Sequence, residues 1–244
     1  MIYEASPLAA VRLIDMVYPG DTNHHGTLFG GAALAHMDKI AFLAATRHGR
    51  RTFVTAASDR IDFAAPALLG DMVEVSGRVV RVGRKSLDVE VSLEAEAPLT
   101  GERRLCTCGL FTLVATDGDA PLPPLRDATL PEEPDTLRIV DMVFPPQTNH
   151  YGTLYGGDAL QMMGRAAFIA ATRHARAVMG MAASDRIDFT SPVREAEMVE
   201  LVARVRMAGI DSVLVSVDLI AEDLLTGERR DAATARFTMV AVKS

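Results

Sequence analysis

The sequence predicts an α+β fold in two tandem domains, each a curled antiparallel sheet around one long central helix. Three observations carry this. First, the chain repeats itself: Thr22-Asn23-His24-His25-Gly26-Thr27-Leu28-Phe29-Gly30-Gly31 returns as Thr148-Asn149-His150-Tyr151-Gly152-Thr153-Leu154-Tyr155-Gly156-Gly157, an offset of 126 residues. The offset holds without a gap from Arg12/Arg138 to Val114/Val240, so the unit is a whole duplicated domain, since solenoid periods run only from about 20 to 50 residues. Second, repeat 1 has one long stretch, from Gly31 to His48, free of internal Pro and Gly and rich in Ala, Leu and Met, and repeat 2 matches it except at Gly164. Third, strands with short turns follow that stretch, the arrangement of an antiparallel meander.

Taken in order, Val11 to Tyr18 is a short apolar strand stopped by Pro19-Gly20. After a glycine-rich turn, Gly31 to His48 reads as a helix of about five turns, with Gly49 as its stop residue. Phe53 to Phe63 is extended and halts before Pro66, and Met72 to Val82 is a strand broken at Gly83. Leu87 to Ala95 alternates with a period of two, and Arg104 to Ala115 is the last strand after the turn at Thr100-Gly101. Each half is thus one strand, one helix and four strands. A helix apolar around most of its circumference has to be wrapped by the sheet. Residues 116–135, with five prolines and six acids, form an interdomain linker. The expected division is residues 1–115, the linker 116–135, and residues 136–244.

Composition narrows the function classes. A net charge of −7 argues against a nucleic-acid partner, which requires a basic footprint. No window approaches an uninterrupted apolar membrane span, and Met1 to Pro7 lacks the basic stretch and apolar core of a signal peptide. Cys106 and Cys108, two apart on one predicted strand, should share a face as buried free thiols and are poorly placed to bridge each other. The expectation is a cytoplasmic protein. There is no HExxH or HxxxH motif, and no Cys accompanies the turn histidines His24, His25 and His150, so no metal site is expected. A GxSxG nucleophile elbow is also missing.

One position breaks the repeat in a chemically pointed way: Asp38 falls opposite Gly164. Asp38 shares a helical stripe with Leu34, Ala41 and Ala45, while His36, Lys39 and Arg47 mark the polar face. A lone carboxylate in an apolar stripe costs several kcal/mol if desolvated and unpaired, or takes a raised pKa. Reactivity explains it better than folding does, although a partner across an interface would serve as well. Gly164 costs roughly 1 kcal/mol against Ala in a helix interior, so it either faces something close-packed or has drifted after losing a task. Asn23 and Asn149 precede the two helices, where a side-chain amide can polarise a carbonyl. The free amides of Gly30-Gly31 or Gly156-Gly157 can hold an oxyanion, and a turn-forming role for the Asn residues is the competing reading. Gly83-Arg84-Lys85-Ser86, with Arg47, Arg50 and Arg51, is the basic group suited to an anion, whereas its counterpart is Gly209-Ile210-Asp211-Ser212.

The run Asn23 to Gly31 followed by Met37-Asp38, with Asp62-Phe63, Pro66, Gly70-Asp71 and the turn at 83–86, resembles the hotdog-fold acyl-CoA thioesterases of the bacterial YciA and mammalian brain acyl-CoA hydrolase type. The resemblance spans both repeats, and repeat 2 departs from it at Gly164. It implies that each half is a hotdog, that active sites lie between two hotdogs, and that one partner supplies the acid and the other the asparagine. Asp38 would then work with Asn149 and with Gly156 or Gly157, while Asn23 would face Gly164 in a degenerate second site. Asp38 would be general base or nucleophile, and Gly83, Arg84, Lys85 and Ser86 would meet coenzyme A. No cofactor is implied beyond the coenzyme A of the substrate, and a homo-oligomer, a trimer of double hotdogs, is implied. A non-catalytic acyl-CoA-binding or regulatory protein is the alternative. A hotdog hydratase is disfavoured because no helix-borne His/Asp pair is present.

Overall fold

The computed structural model describes residues 11–125, 133 and 135–242, and among these each repeat has six strands, one long α-helix and a short 3-10 turn ahead of it. Repeat 1 runs β1 (Val11–Met16), α1 (Gly30–Gly49), β2 (Phe53–Ser58), β3 (Asp62–Phe63), β4 (Met72–Val82), β5 (Ser86–Glu96) and β6 (Arg103–Ala115). Repeat 2 runs β7 (Thr136–Met142), α2 (Gly156–Ala175), β8 (Met179–Ser184), β9 (Asp188–Phe189), β10 (Met198–Ala208), β11 (Ser212–Glu222) and β12 (Arg229–Ala241). The sheets are antiparallel, in the orders β1-β4-β5-β6-β2 and β7-β10-β11-β12-β8, with β3 beside β6 and β9 beside β12. This is the sheet-around-helix α+β architecture expected from the sequence. It has one more strand per half, because Asp59 to Ile61 interrupts the extended run after the helix.

Each helix is the core of its sheet. Met37, Ile40, Ala41, Leu43 and Ala45 of α1 are fully buried, as are Met163, Ala166, Ala167, Ile169 and Ala171 of α2. Small residues let the sheet close in: a Cβ on Gly77 of β4 would stand 2.6 Å from Cγ2 of Ile40. The helix does not stop on Gly49. Gly49 is helical, and Arg50 takes the left-handed C-cap conformation at φ 51°, held there by bonds from its guanidinium to Glu222 and to the carbonyl of Leu224.

The cysteines correct a second expectation. Cys106 is buried and Cys108 exposed, because the β5–β6 register slips between Leu93 and Glu94. That bulge places Cys106 and Thr107 inward in succession, and simple alternation fails across it.

The two repeats pack through β1 and β7. Around this seam runs a lattice of buried ion pairs. Glu222 takes Arg47 and Arg50, Glu96 takes Arg173 and Arg176, and Glu74 takes Arg12, Arg103 and Arg173. Lys39 reaches Asp141 at 2.8 Å and Arg165 reaches Asp15 at 2.7 Å, the same contact made twice. The helix residues read as a polar face are therefore the inter-repeat face. Among the described residues no helix is long and apolar enough to cross a membrane.

Candidate active site

Asp38 sits on the α1 flank nearest the edge strand β2, where Oγ1 of Thr55 donates a 2.7 Å hydrogen bond to Oδ1 of the carboxylate. The apolar stripe expected around Asp38 divides in the structure. Ala41 and Ala45 are fully buried against the sheet, while Leu34 is exposed and Asp38 half-buried. The carboxylate is thus hydrogen-bonded and within reach of water instead of desolvated, which corrects the expectation of a buried, unpaired acid. Thr55 escaped the sequence reading, although the repeat held a signal for it: Thr55 falls opposite Met181. In repeat 2 the two changes meet in space, since a Cβ built on Gly164 would stand 3.0 Å from the Met181 methyl. The acid–hydroxyl pair of repeat 1 is replaced as a pair by a glycine with a methionine over it. Gly164 does face something close-packed.

The asparagines hold the turns that lead into the helices. Oδ1 of Asn149 accepts from the Tyr151 amide at 2.9 Å, the Thr153 amide at 3.3 Å and the Thr153 hydroxyl at 3.1 Å. Oδ1 of Asn23 accepts from the His25 and Thr27 amides in the same way. The turn-forming reading is therefore correct for the side-chain carbonyls of both. The amide nitrogens differ. Nδ2 of Asn23 donates to Thr27 Oγ1 at 2.8 Å, whereas among the described residues Nδ2 of Asn149 has no acceptor and keeps both N–H groups. Asp38 and Asn149 of one chain make no hydrogen bond to each other; Asp38 is brought together with Thr55 instead.

Gly156 and Gly157 open α2, and its N-cap, Tyr155, provides no side-chain bond, so the first amides face outward unsatisfied by the helix. Gly156 also lines a cavity of about 360 Å³ with Leu154, Ala159, Phe189 and Pro192. The matching cavity in repeat 1, bordered by Gly30, Ala33, Phe63 and Pro66, is smaller at about 250 Å³. Cys106 lines this one, and burial pushes its thiol pKa up, which keeps it a protonated wall residue.

The basic turn is partly occupied by the chain itself. The Gly83 amide donates to the Ser86 carbonyl at 2.7 Å, Arg81 pairs with Asp88, and Lys85 pairs with Asp119 of the linker. Arg51 binds Asp117 and the carbonyls of Gly118 and Ala120. Hydrogen bonds from Arg51 and Lys85 hold Asp117 and Asp119 below the usual carboxylate range. Among the described residues Arg84 makes no ion pair and is exposed. His36, between Asp15, Asp21, Asp141 and Lys39, is held below its ordinary pKa by burial first and by Lys39 second, so it is neutral at the inter-repeat seam at pH 7.

The likeness to known proteins runs the length of the chain. The model of the thioesterase superfamily matches twice, over residues 25–102 and 151–228. A crystal structure of an acyl-CoA hydrolase from Agrobacterium tumefaciens superposes with a TM-score of 0.89 at 47% identity, covering 96% of each chain. An uncharacterised acyl-CoA thioester hydrolase of Bacillus subtilis is 42% identical over 124 residues, half of this chain and 71% of the relative. The human cytosolic acyl coenzyme A thioester hydrolase is 23% identical over 92% of this chain and 72% of its own. With a doubled sheet-around-helix fold and two matches to one family model, the chain belongs to the thioesterase superfamily as a tandem double hotdog.

Proposed function

We propose that this protein hydrolyses acyl-CoA thioesters to a free acid and coenzyme A, and that it does so with one complete active site built from Asp38 and Asn149. The observation that carries the reading is the Asp38–Thr55 pair, present in one repeat and replaced in the other, in a chain whose full-length structural relative is an acyl-CoA hydrolase.

The chemistry follows from the groups. Asp38, reachable by water, accepts a proton as water attacks the thioester carbon, or attacks that carbon itself. The unused N–H groups of Asn149 and the outward amides of Gly156 and Gly157 are the donors for the oxygen that becomes an oxyanion. Collapse breaks the C–S bond, and the thiolate of coenzyme A leaves and takes up a proton. The water route gives the free acid directly, whereas the nucleophile route leaves an acyl anhydride on Asp38 that a water then hydrolyses, releasing the acid and restoring the carboxylate. The cavity beside Gly156 is the apolar space suited to the acyl group. Gly83, Arg84, Lys85 and Ser86 are the groups suited to coenzyme A phosphates, with Arg84 free and Lys85 needing to exchange Asp119 for the ligand. Water and a carboxylate suffice, so the reaction calls for no cofactor beyond the coenzyme A of the substrate. Asn23 and Gly164 mark the silent counterpart. The physiological form is an oligomer, a trimer of double hotdogs. A cytoplasmic setting is in keeping with the human relative, which is named cytosolic.

A thiol-release assay over short, medium and long acyl-CoAs tests this. Asp38→Asn should lower kcat by about a hundredfold or more, as loss of a general base does, with the fold intact. Asn149→Ala should cost far more than Asn23→Ala. Undiminished turnover in Asp38→Asn sinks the assignment, and equal losses in the two Asn variants sink the one-site model.

A further inference from the structure

The two repeats keep matching cavities at their helix starts, and the one in repeat 2 is enlarged from below. It measures about 360 Å³, against about 250 Å³ in repeat 1. Its rim is nevertheless the bulkier of the two: Thr190, Ser191 and Val193 stand where repeat 1 has Ala64, Ala65 and Ala67. The gain comes from the floor. Ala232 stands in place of Cys106, and Ala233 in place of Thr107, whose hydroxyl donates to the Asp62 carbonyl in repeat 1. Both alanines are buried on β12, and Ala233 pairs across the sheet with Phe189 of β9.

What these changes leave is an apolar space. The hydroxyls of Thr190 and Ser191 both donate to the Asp231 carbonyl, at 2.9 and 2.6 Å, so the rim has no unused hydroxyl proton for a ligand. Ala159, Val193 and Leu219 are buried in the walls, and among the described residues no charged group lines the cavity. Phe189 is 54% exposed and borders the opening to solvent. Gly156 lines the same space, and its amide is one of the donors suited to the thioester oxygen. A carbonyl held there starts its alkyl chain at the mouth of the cavity.

Resting on the reading that the Gly156 amide receives the thioester oxygen, we propose that the cavity of repeat 2 holds the alkyl chain and that Ala232 and Ala233 set its length. A methylene takes about the volume of a water molecule, about 30 Å³, so the space accommodates about twelve. The substrate class is therefore uncharged, medium-chain acyl groups of up to about twelve carbons. The cavity of repeat 1, with Cys106 in its wall, would be full at about eight. Burying one methylene favours binding by about fourfold. Each added carbon should thus raise kcat/KM by up to that factor until the cavity is full. A longer chain leaves its end in water and gains nothing further.

The test is thiol release by the full-length protein over straight-chain substrates from butyryl-CoA to palmitoyl-CoA, each below its micellar concentration. In the wild type kcat/KM should climb to a plateau at about twelve carbons. Ala232→Leu adds an isopropyl group to the floor and should bring the plateau in to about nine, with a loss that grows with chain length. Ala232→Cys, a milder change, should bring it in by about one carbon, and it carries the test where the Leu variant fails a urea melt. Cys106→Ala opens the other cavity and should leave the profile where it is. A plateau that stays in place in folded Ala232 variants overturns the proposal, as does an equal loss at every length. A profile moved by Cys106→Ala instead puts the chain in repeat 1 and overturns it too. Thiol release from no acyl-CoA of any length is a different result: it defeats the hydrolase reading itself.

Discussion

Thr55 is where the structure makes its most exposed commitment about catalysis. Its hydroxyl makes a 2.7 Å bond to the Asp38 carboxylate and so fixes the rotamer of an acid that stands otherwise on an open helix flank. Thr55→Val removes the hydroxyl while keeping the β-branched shape that suits a strand. A hydrogen bond to a charged group contributes about 1.5–3 kcal/mol when sheltered. Thr55 is exposed in the single chain, so water repays part of that and the lower end applies. About 1.4 kcal/mol corresponds to a tenfold fall in kcat. Stability should move by no more than about 0.5 kcal/mol, as for other surface changes. Steady-state thiol release at saturating acyl-CoA reads kcat, and a urea melt reads the fold. Because Thr55 acts through Asp38, the loss should appear in kcat with KM nearly unchanged. A wild-type kcat in a folded Thr55→Val protein would refute the positioning role. A loss confined to KM would mean that Thr55 touches substrate instead.

The seam between the repeats gives two further expectations. Glu222→Ala leaves the buried Arg47 and the half-buried Arg50 without their shared carboxylate, and breaking a buried pair this way costs about 3–5 kcal/mol; a urea midpoint shift equivalent to less than about 1 kcal/mol would show that the lattice is not structural. Acid should also loosen the seam. Burial pushes the Glu74 pKa up, but Arg12, Arg173 and Arg103 outweigh it and leave it lowered from 4.5. A carboxylate with a lowered folded pKa contributes stability above its unfolded value and loses it as pH falls through the folded one. Stability should therefore decline below about pH 4.5, and Glu74→Gln should flatten that decline in urea melts run across pH; an unchanged slope would count against Glu74 as the source.

Most of the fold was readable because it is written twice in one frame. A gapless repeat fixes the domain count, the absence of Pro and Gly between Gly31 and His48 marks the helix, and the alternation from Leu87 to Ala95 marks a strand whose two faces differ. The elements that were missed depend on contacts between distant residues. The left-handed Arg50 is legible only once Glu222 is beside it. Cys106 turns inward through a bulge that a period-two reading cannot register. The acids of the linker gave no sign that Asp117 and Asp119 would fold back onto Arg51 and Lys85. In each case the sequence shows a residue's own preference, while its conformation is decided by a partner tens of residues away.

The site follows the same logic, with one instructive difference. Asp38 against Gly164 is visible in the sequence alone, and so is Thr55 against Met181, but their connection is not. Only the approach of the Met181 methyl to Gly164 shows that these are one event. With no carboxylate at position 164 a hydroxyl opposite it has no charge to orient, and a long flexible thioether can fill the freed space. The reverse constraint is stronger. An aspartate at 164 would have to push the Met181 methyl aside and would find no hydroxyl donor at position 181, so restoring the acid alone would not restore the pair. In repeat 2 the position of the acid is thereby given over to packing. That repeat keeps the asparagine turn, the open glycine amides and the larger cavity, and it has exchanged the acid for packing. On the proposed division of one site between the two halves, neither half expressed alone should release thiol from acyl-CoA, and turnover by either half would refute that division.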